Sequence, residues 1–218
     1  MAKIFIVGAA GKVGLRLTKL LAADGDTVLA LHRKPEQADP LAEAGATPVS
    51  GDLTELSDSA LADLMAGSDA VVFAAGAGGA GIDVTNAIDG RGLVRSVAAA
   101  KSAGIARFLL VSAFPDASRD GERNEGFENY IRVKKLADAH LVASDLDWVI
   151  VRPGTLRDDA GNGRIRADVA IPYGEVTRDD VAMTLAAILD RPQLSRTIIE
   201  LTKGDEPIGE ALDRLAAR

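Results

Sequence analysis

Cysteine is absent from the 218-residue chain. That excludes a disulfide framework, a thiolate zinc cluster and a cysteine nucleophile. Histidine is scarce. His32 and His140 are the two present, too few and too far apart in sequence to suggest a histidine-built metal site. A basic surplus is missing too. The 25 Lys and Arg face 32 Asp and Glu, a net charge of −7, with a sequence pI near 4.9. That balance argues against a dedicated nucleic-acid binder. Long apolar runs are also lacking. After Met1-Ala2-Lys3 the chain enters Ile4-Phe5-Ile6-Val7, far short of a signal h-region or of the roughly 18 residues a membrane helix needs. The expectation is a soluble cytoplasmic protein with no membrane partner.

Hydrophobic residues make up 47% and charged residues 26%, which excludes a disordered chain. By area scaling, a chain of this length buries about 70% of its unfolded surface. Length, the absence of solenoid repeats and the lack of a long linker favour one domain spanning 1–218. The 22 Gly are unevenly spread, so their positions carry information.

Short β-rich runs alternate with helical patterns. Strands are expected at Ile4–Val7, Thr27–Leu31, Thr47–Val49, Asp69–Ala74, Ala106–Val111, Asp147–Val151 and Arg196–Leu201, with an extended stretch at Arg164–Ile171. Helices are expected at Lys12–Ala23, Pro35–Gly45, Ser57–Met65 with Ser57 as N-cap, and Asp83–Gly104. A further long helix lies within Arg123–Ser144. Thr177–Asp190 carries a Thr177/Asp180 capping box, and Pro207–Ala217 starts on proline. Residues 115–129 read as a polar surface loop running into that long helix. The pattern predicts an α/β fold: a Rossmann-like, doubly wound parallel sheet with helices on both faces.

The first strand ends in Gly8-Ala9-Ala10-Gly11-Lys12-Val13-Gly14, a G-x-x-G-x-x-G run between a buried strand and an amphipathic helix. Gly8 permits the tight turn, Gly11 lets backbone approach a pyrophosphate, and Gly14 allows close helix packing. The helix N-terminus offers unpaired N–H groups and partial positive charge to phosphates. The second strand ends in Leu31-His32-Arg33-Lys34. A base there suits a ribose 2′-phosphate, where an acid would suit a 2′-hydroxyl. Arg33 is the candidate, so NADP(H) is favoured over NAD(H). Lys34 reads more simply as a solvated residue of the turn before Pro35.

Ligands of such sheets lie beyond the C-terminal strand ends. Besides Gly8, Ala10, Gly11, Lys12, Val13, Gly14 and Arg33, this rule nominates Asp52, Leu53, Ala74, Ala75, Gly76, Val111, Pro153 and Gly154 as cofactor-binding, and Ser112 as substrate-facing. Asp52 either accepts from an adenine amino group or closes an Asp-x-Thr turn.

Tyr130 and Lys134 stand at i and i+4 on one helix face. At an effective dielectric near 20 and about 5 Å, an ammonium favours phenolate by on the order of 3 kcal/mol, or about two pKa units. That moves a tyrosine towards 8, within reach of acid–base work. Spacing alone equally allows a half-buried Tyr beside a solvated Lys. Ser112, at the preceding strand end, converges on the same end of the sheet.

The ordered set Gly8-x-x-Gly11-x-x-Gly14, Gly51-Asp52, Ala74-Ala75-Gly76, Ser112, Tyr130-x-x-x-Lys134 and Arg152-Pro153-Gly154 resembles the short-chain dehydrogenase/reductase superfamily. Glycine spacing and size resemble its atypical NAD(P)H-binding branch, which holds epimerase/dehydratase-like and biliverdin/flavin reductase-like proteins. The segments Ala106–Ser112 and Asp147–Gly154 carry the likeness, which covers residues 3–155 well and the tail in outline.

The resemblance implies that Tyr130 exchanges the proton of a hydride transfer. It further implies that Lys134 binds nicotinamide ribose and lowers the Tyr pKa, and that Ser112 orients substrate; Lys134 thus counts in both the catalytic and the cofactor set. The family's active-site Asn has no clean match. Asp89 is the nearer counterpart and Asn86 the second, and an acid there would alter any water relay to the lysine.

Three functions follow for comparison. One is an oxidoreductase acting on a small carbonyl, quinone or flavin-like molecule. Another is a sugar epimerase or dehydratase, for which the residues after Pro153 leave little substrate lobe. The third is a non-enzymatic dinucleotide sensor, which loss of Tyr or Lys would mark. The small-molecule substrate is expected to be flanked by Pro115–Asn129 and by a cap from about 155–175. Arg157, Arg164 and Arg166 offer either anion contacts or plain solvated charge. No metal is expected, and the protein is expected as a monomer or homodimer.

Overall fold

Ile4, Phe5, Ile6 and Val7 are all almost fully buried, so the first strand has no solvent face. A strand of this kind belongs inside a sheet covered on both sides. The computed structural model describes residues 1–115, 117 and 124–218. It holds a nine-stranded sheet: β1 Lys3–Val7, β2 Thr27–His32, β3 Thr47–Ser50, β4 Ala70–Phe73, β5 Arg107–Val111, β6 Asp147–Pro153, β8 Arg164–Asp168, β10 Thr197–Lys203 and β11 Glu206–Pro207. The order is β11-β8-β10-β6-β5-β4-β1-β2-β3. Strands from β3 to β10 run parallel, while β8 lies antiparallel between β10 and β11. The antiparallel edge, and a separate parallel ribbon of β7 Thr155–Arg157 and β9 Glu175–Thr177, go beyond the all-parallel expectation.

Alternate strand residues feed two cores. Ile4, Ile6, Val72, Leu109 and Val149 pack under α1 Lys12–Ala23, α7 Arg178–Leu189 and α8 Ile208–Ala216. Phe5, Val7, Phe73, Phe108, Leu110 and Trp148 pack under α3 Asp58–Met65, α5 Leu93–Ser102 and α6 Glu125–Val142. With right-handed β-α-β crossovers, α1 covers one face as the strand order runs outward from β1 to β2, and α3, α5 and α6 cover the other once the order reverses at β4. Burying each large side chain contributes about 1.5–3 kcal/mol, so both cores resist any shift of strand ends.

Local boundaries follow the sequence closely, with four differences. The second expected helix is split into a 3₁₀ turn, Pro35–Gln37, and α2 Ala38–Glu43. The Asp83–Gly104 helix is instead α4 Ile82–Thr85, a π-helical stretch Asn86–Gly92, and then α5. Strand β6 continues through Arg152-Pro153, because β10 supplies a parallel partner as far as Leu201. Finally, Thr177 caps α7 through the Asp180 N–H, but the Asp180 carboxylate does not return to the Thr177 N–H. It accepts instead from the Thr177 hydroxyl and from the N–H groups of Asn162 and Gly163. The expected long helix begins at Glu125; its early segment at 123, and residues 116 and 118–122 of the polar loop, lie outside the described residues.

No described helix is long and apolar enough to cross a membrane. Among the described residues no acidic or histidine group could hold a metal.

Candidate active site

Strand order reverses between β1 and β4, which opens a crevice at their C-terminal ends. Gly8 sits there with φ +85°. A Cβ on it would lie 2.5 Å from the Ala75 backbone. The glycine therefore serves both the turn and the close approach of the β4 extension, Ala74-Ala75-Gly76. Gly14 packs on the turn itself, since its Cβ would stand 2.3 Å from the Gly8 carbonyl. The Gly11 N–H donates to that carbonyl at 3.0 Å.

Helix α1 opens at Gly11 with no side-chain cap and no acid in its first turn. By contrast α3, α6 and α7 are capped by Ser57, Asn124 and Thr177. An uncapped N-terminus over a glycine turn fits a pyrophosphate, whose oxygens satisfy the free N–H groups. Among the cofactor candidates, Ala10 is half-buried in this loop and Val13 is buried in the first turn of α1. Lys12, however, points to Asp158, with Nζ 2.6 Å from Oδ2. Asp158 also receives Arg178 at 2.9 Å.

At the end of β2, Arg33 is exposed and lies 4.0 Å from Asp52. Asp52 adopts the turn role: its Oδ1 accepts from the N–H and hydroxyl of Thr54. Partial burial raises the Asp52 carboxyl, but those hydrogen bonds and Arg33 outweigh it and hold the group below its ordinary value. Leu53 is buried in the core beneath Gly92, so its side chain belongs to the scaffold. Pro153 is buried within β6, and Gly154 gives its Cβ space to the Gly174 carbonyl.

The π-helical stretch turns Asp89 inward. One carboxylate oxygen accepts from the Ala77 N–H at 2.9 Å, and the other lies 2.9 Å from Lys134 Nζ. Lys134 also donates to the Val111 carbonyl at 3.1 Å. Both side chains are buried. Removing one partner of such a pair costs about 3–5 kcal/mol, because the other charge is left uncompensated. Asn86 does not reach the lysine; it accepts from Asn129 at 3.2 Å. Of the two counterparts, the fold brings Asp89 to the lysine.

Lys134 Nζ lies 5.9 Å from the Tyr130 ring centre, yet the phenol is not lowered. Burial pushes the Tyr130 pKa up, more than Lys134 pulls it down, and the Asp89 carboxylate adds to the rise. The i,i+4 spacing contains the ammonium but neither the burial of the phenol nor the lysine's counter-ion. Lys134 is itself held protonated: burial works against its charge, and Asp89 more than restores it.

Ser112 continues the ladder, its N–H donating to Val151 at 2.8 Å, while its buried hydroxyl has no hydrogen-bond partner. Around Tyr130 stand Phe114, Phe127, Ile131 and Ile171, with Tyr173 edge-on to Phe114 at 5.4 Å.

Several site residues escaped sequence reading. Asp138 lies four residues beyond Lys134, so the Tyr130–Lys134–Asp138 spacing was a usable signal. Arg152 donates to Asp138 at 2.9 Å and lies 3.8 Å from Glu200. Glu200 in turn accepts from the Ile171 N–H. No local pattern announces Glu200 or Asp158, which arrive from distant segments.

An NAD(P)H-binding family model matches residues 8–192. The uncharacterized sugar epimerase YhfK of Bacillus subtilis is 40% identical over 98% of this chain and 100% of its own. A solved structure from Bacillus halodurans, provisionally assigned as a NAD-dependent epimerase/dehydratase, is 33% identical. It covers 99% of this chain and 100% of its own, with a TM-score of 0.90. ChuY of Escherichia coli O157:H7, an anaerobilin reductase, is 27% identical, covers 93% of this chain and 98% of its own, and has a TM-score of 0.79. Glycine turn, strand order and relatives agree, and the chain belongs to the NAD(P)H-binding family, within the atypical short-chain dehydrogenase/reductases.

Proposed function

We propose that the protein is an NADP(H)-dependent oxidoreductase that reduces or oxidises a small carbonyl, quinone or flavin-like molecule. The observation that carries this reading is the buried Asp89–Lys134–Val111 clamp beside Tyr130, built at the same sheet end as the uncapped glycine turn. A merely structural lysine gains nothing from burial at that end, where an ammonium costs desolvation energy. Bound nicotinamide supplies or accepts the hydride. In this reading Lys134 binds its ribose, Tyr130 gives or takes the substrate proton, and Ser112 holds the substrate oxygen. Arg33, exposed at the β2 end, suits a 2′-phosphate. Residues 1–218 act as one domain, with residues 155–175 as a small cap.

Sugar epimerisation is the second reading, favoured by the relative YhfK. The chain after Pro153 supports it less. Most of that segment forms β8, β10, β11, α7 and α8 of the main body, leaving the β7–β9 ribbon and its flanks for a substrate lobe.

The test is NADPH oxidation against a panel of quinones, flavins, aldehydes and bilins. Tyr130→Phe is expected to cut turnover by about 10²-fold or more, the usual contribution of a proton-transfer group, with NADPH affinity retained. Turnover undiminished in Tyr130→Phe removes the proton-donor assignment. Interconversion of a nucleotide-sugar pair without net NADPH loss installs the epimerase reading instead.

A further inference from the structure

Asp138 is a buried carboxylate with one oxygen committed and one orphaned. Its Oδ2 accepts from Arg152 Nε at 2.9 Å, while Oδ1 is shut off from solvent with no hydrogen-bond partner. The Ser112 hydroxyl is buried and orphaned in the same way. The fold puts these two groups together. Val111 is in register with Val151, so Ser112 and Arg152 are the next residues along neighbouring strands. Asp138 reaches down from α6 onto Arg152, one helical turn beyond Lys134. Buried orphans are rare in native proteins, and each one asks for an explanation.

We propose that Asp138 is a positioning residue for Ser112, its free oxygen deciding whether the serine hydroxyl offers substrate a proton or a lone pair. The inference rests on the reading that Ser112 holds the substrate oxygen. With Asp138 ionised, Ser112 donates to Oδ1 and turns a lone pair to substrate, which suits an alcohol. With Asp138 protonated, the acid donates to Ser112, whose own proton turns to substrate, which suits a carbonyl. The two states differ by one proton, which Asp138 exchanges with solvent, and by the direction of these hydrogen bonds.

The surroundings hold the acid above the ordinary carboxylate value. Burial pushes the Asp138 carboxyl up; Ser112, then Arg152 and Lys134, draw it back only in part. Facing it are Arg152 from β6 with Glu200 of β10 behind, and Lys134, paired with Asp89, from its own helix. Asp138 also bears on Tyr130. None of these completes the orphaned oxygen.

Two measurements on the full chain test the proposal. The first follows the Asp138 carboxyl carbon by NMR across pH in ¹³C-labelled protein, identified by its loss in Asp138→Asn. Ser112→Ala is expected to raise the Asp138 midpoint by about half a unit to one unit, the worth of one lost donor. An unmoved titration, or none at all, overturns the coupling whether or not the protein turns anything over.

The second measurement is the pH profile of carbonyl reduction. Wild type is expected to lose rate as pH rises through the Asp138 midpoint. Asp138→Asn keeps an acceptor for Arg152 and turns its NH₂ to Ser112. It should abolish that limb and run about fivefold faster than wild type above it, with the NADPH Kd unchanged. A limb that persists in Asp138→Asn overturns the positioning role. Absence of any reduction, with the NMR coupling intact, strikes the oxidoreductase reading instead.

Discussion

Arg33 is the side chain on which the proposed preference for NADP(H) rests. It stands at the C-terminal end of β2, exposed, with Asp52 at 4.0 Å as its partner. An exposed pair at that distance is worth well under about 1 kcal/mol, so Arg33 is free to turn to a phosphate. Arg33→Ala is expected to weaken NADPH binding about tenfold or more and to leave NADH nearly unchanged; titration of both nucleotides checks this, and equal affinities in wild type refute it. Lys134 teaches the opposite lesson. Its spacing from Tyr130 and its downward pull on the phenol were legible, but the sign of the net shift was not. That sign depends on burial and on Asp89, which lies on a different helical segment, and no i,i+4 rule contains it.

Helices and strands deliver these side chains through their ends. Helix α1 is amphipathic, with Val13, Leu17 and Leu21 buried, so its axis and its uncapped start are set by packing on the sheet. The β7 segment then brings Asp158 across to that start, where Lys12, Arg16 and Arg178 surround it. The hydrogen bond from Lys12 and the neighbouring arginines hold the Asp158 carboxyl below its ordinary value. The contact ties up the lysine nearest the phosphate cradle. Asp158→Asn is therefore expected to tighten NADPH binding about two- to fivefold at low salt, with the gain fading at high salt as the charges are screened. Equal affinity for both proteins at low salt would show that Lys12 plays no part in binding. The π-helical stretch is the element least legible beforehand. Its extra residue per turn moves Asp89 onto Lys134, where an unbroken α-helix through 83–104 was expected.

At the scale of the molecule, the parallel sheet ends on an antiparallel edge that carries an ion cluster. Asp168 on β8 is gripped by Arg218 and Arg214, which hold its carboxyl down from 3.8 to about 2. A carboxylate with a depressed folded-state pKa stabilises above its unfolded value, and that stability is lost as pH falls through the folded one. The melting temperature of wild type should exceed that of Asp168→Asn at neutral pH, by a small margin because the groups are partly exposed. The gap should shrink as pH drops from 3.8 towards about 2. A gap that stays constant through that range would exclude the ion cluster as its source.

Strand and helix periodicity, the G-x-x-G-x-x-G turn and the Tyr130/Lys134 pair follow from near neighbours in the chain. Steric limits and 2.0- or 3.6-residue repeats act locally, so the sequence by itself determined the doubly wound architecture and the sheet end at which these residues gather. The tertiary structure decided the rest: Asp89 over Asn86 beside the lysine, Asp52 as a turn closer, Asp158 on Lys12, and Arg152 between Asp138 and Glu200. These pairings join residues far apart in sequence. Their energies depend on burial and on counter-charges, which exist once the sheet has brought the strand ends together.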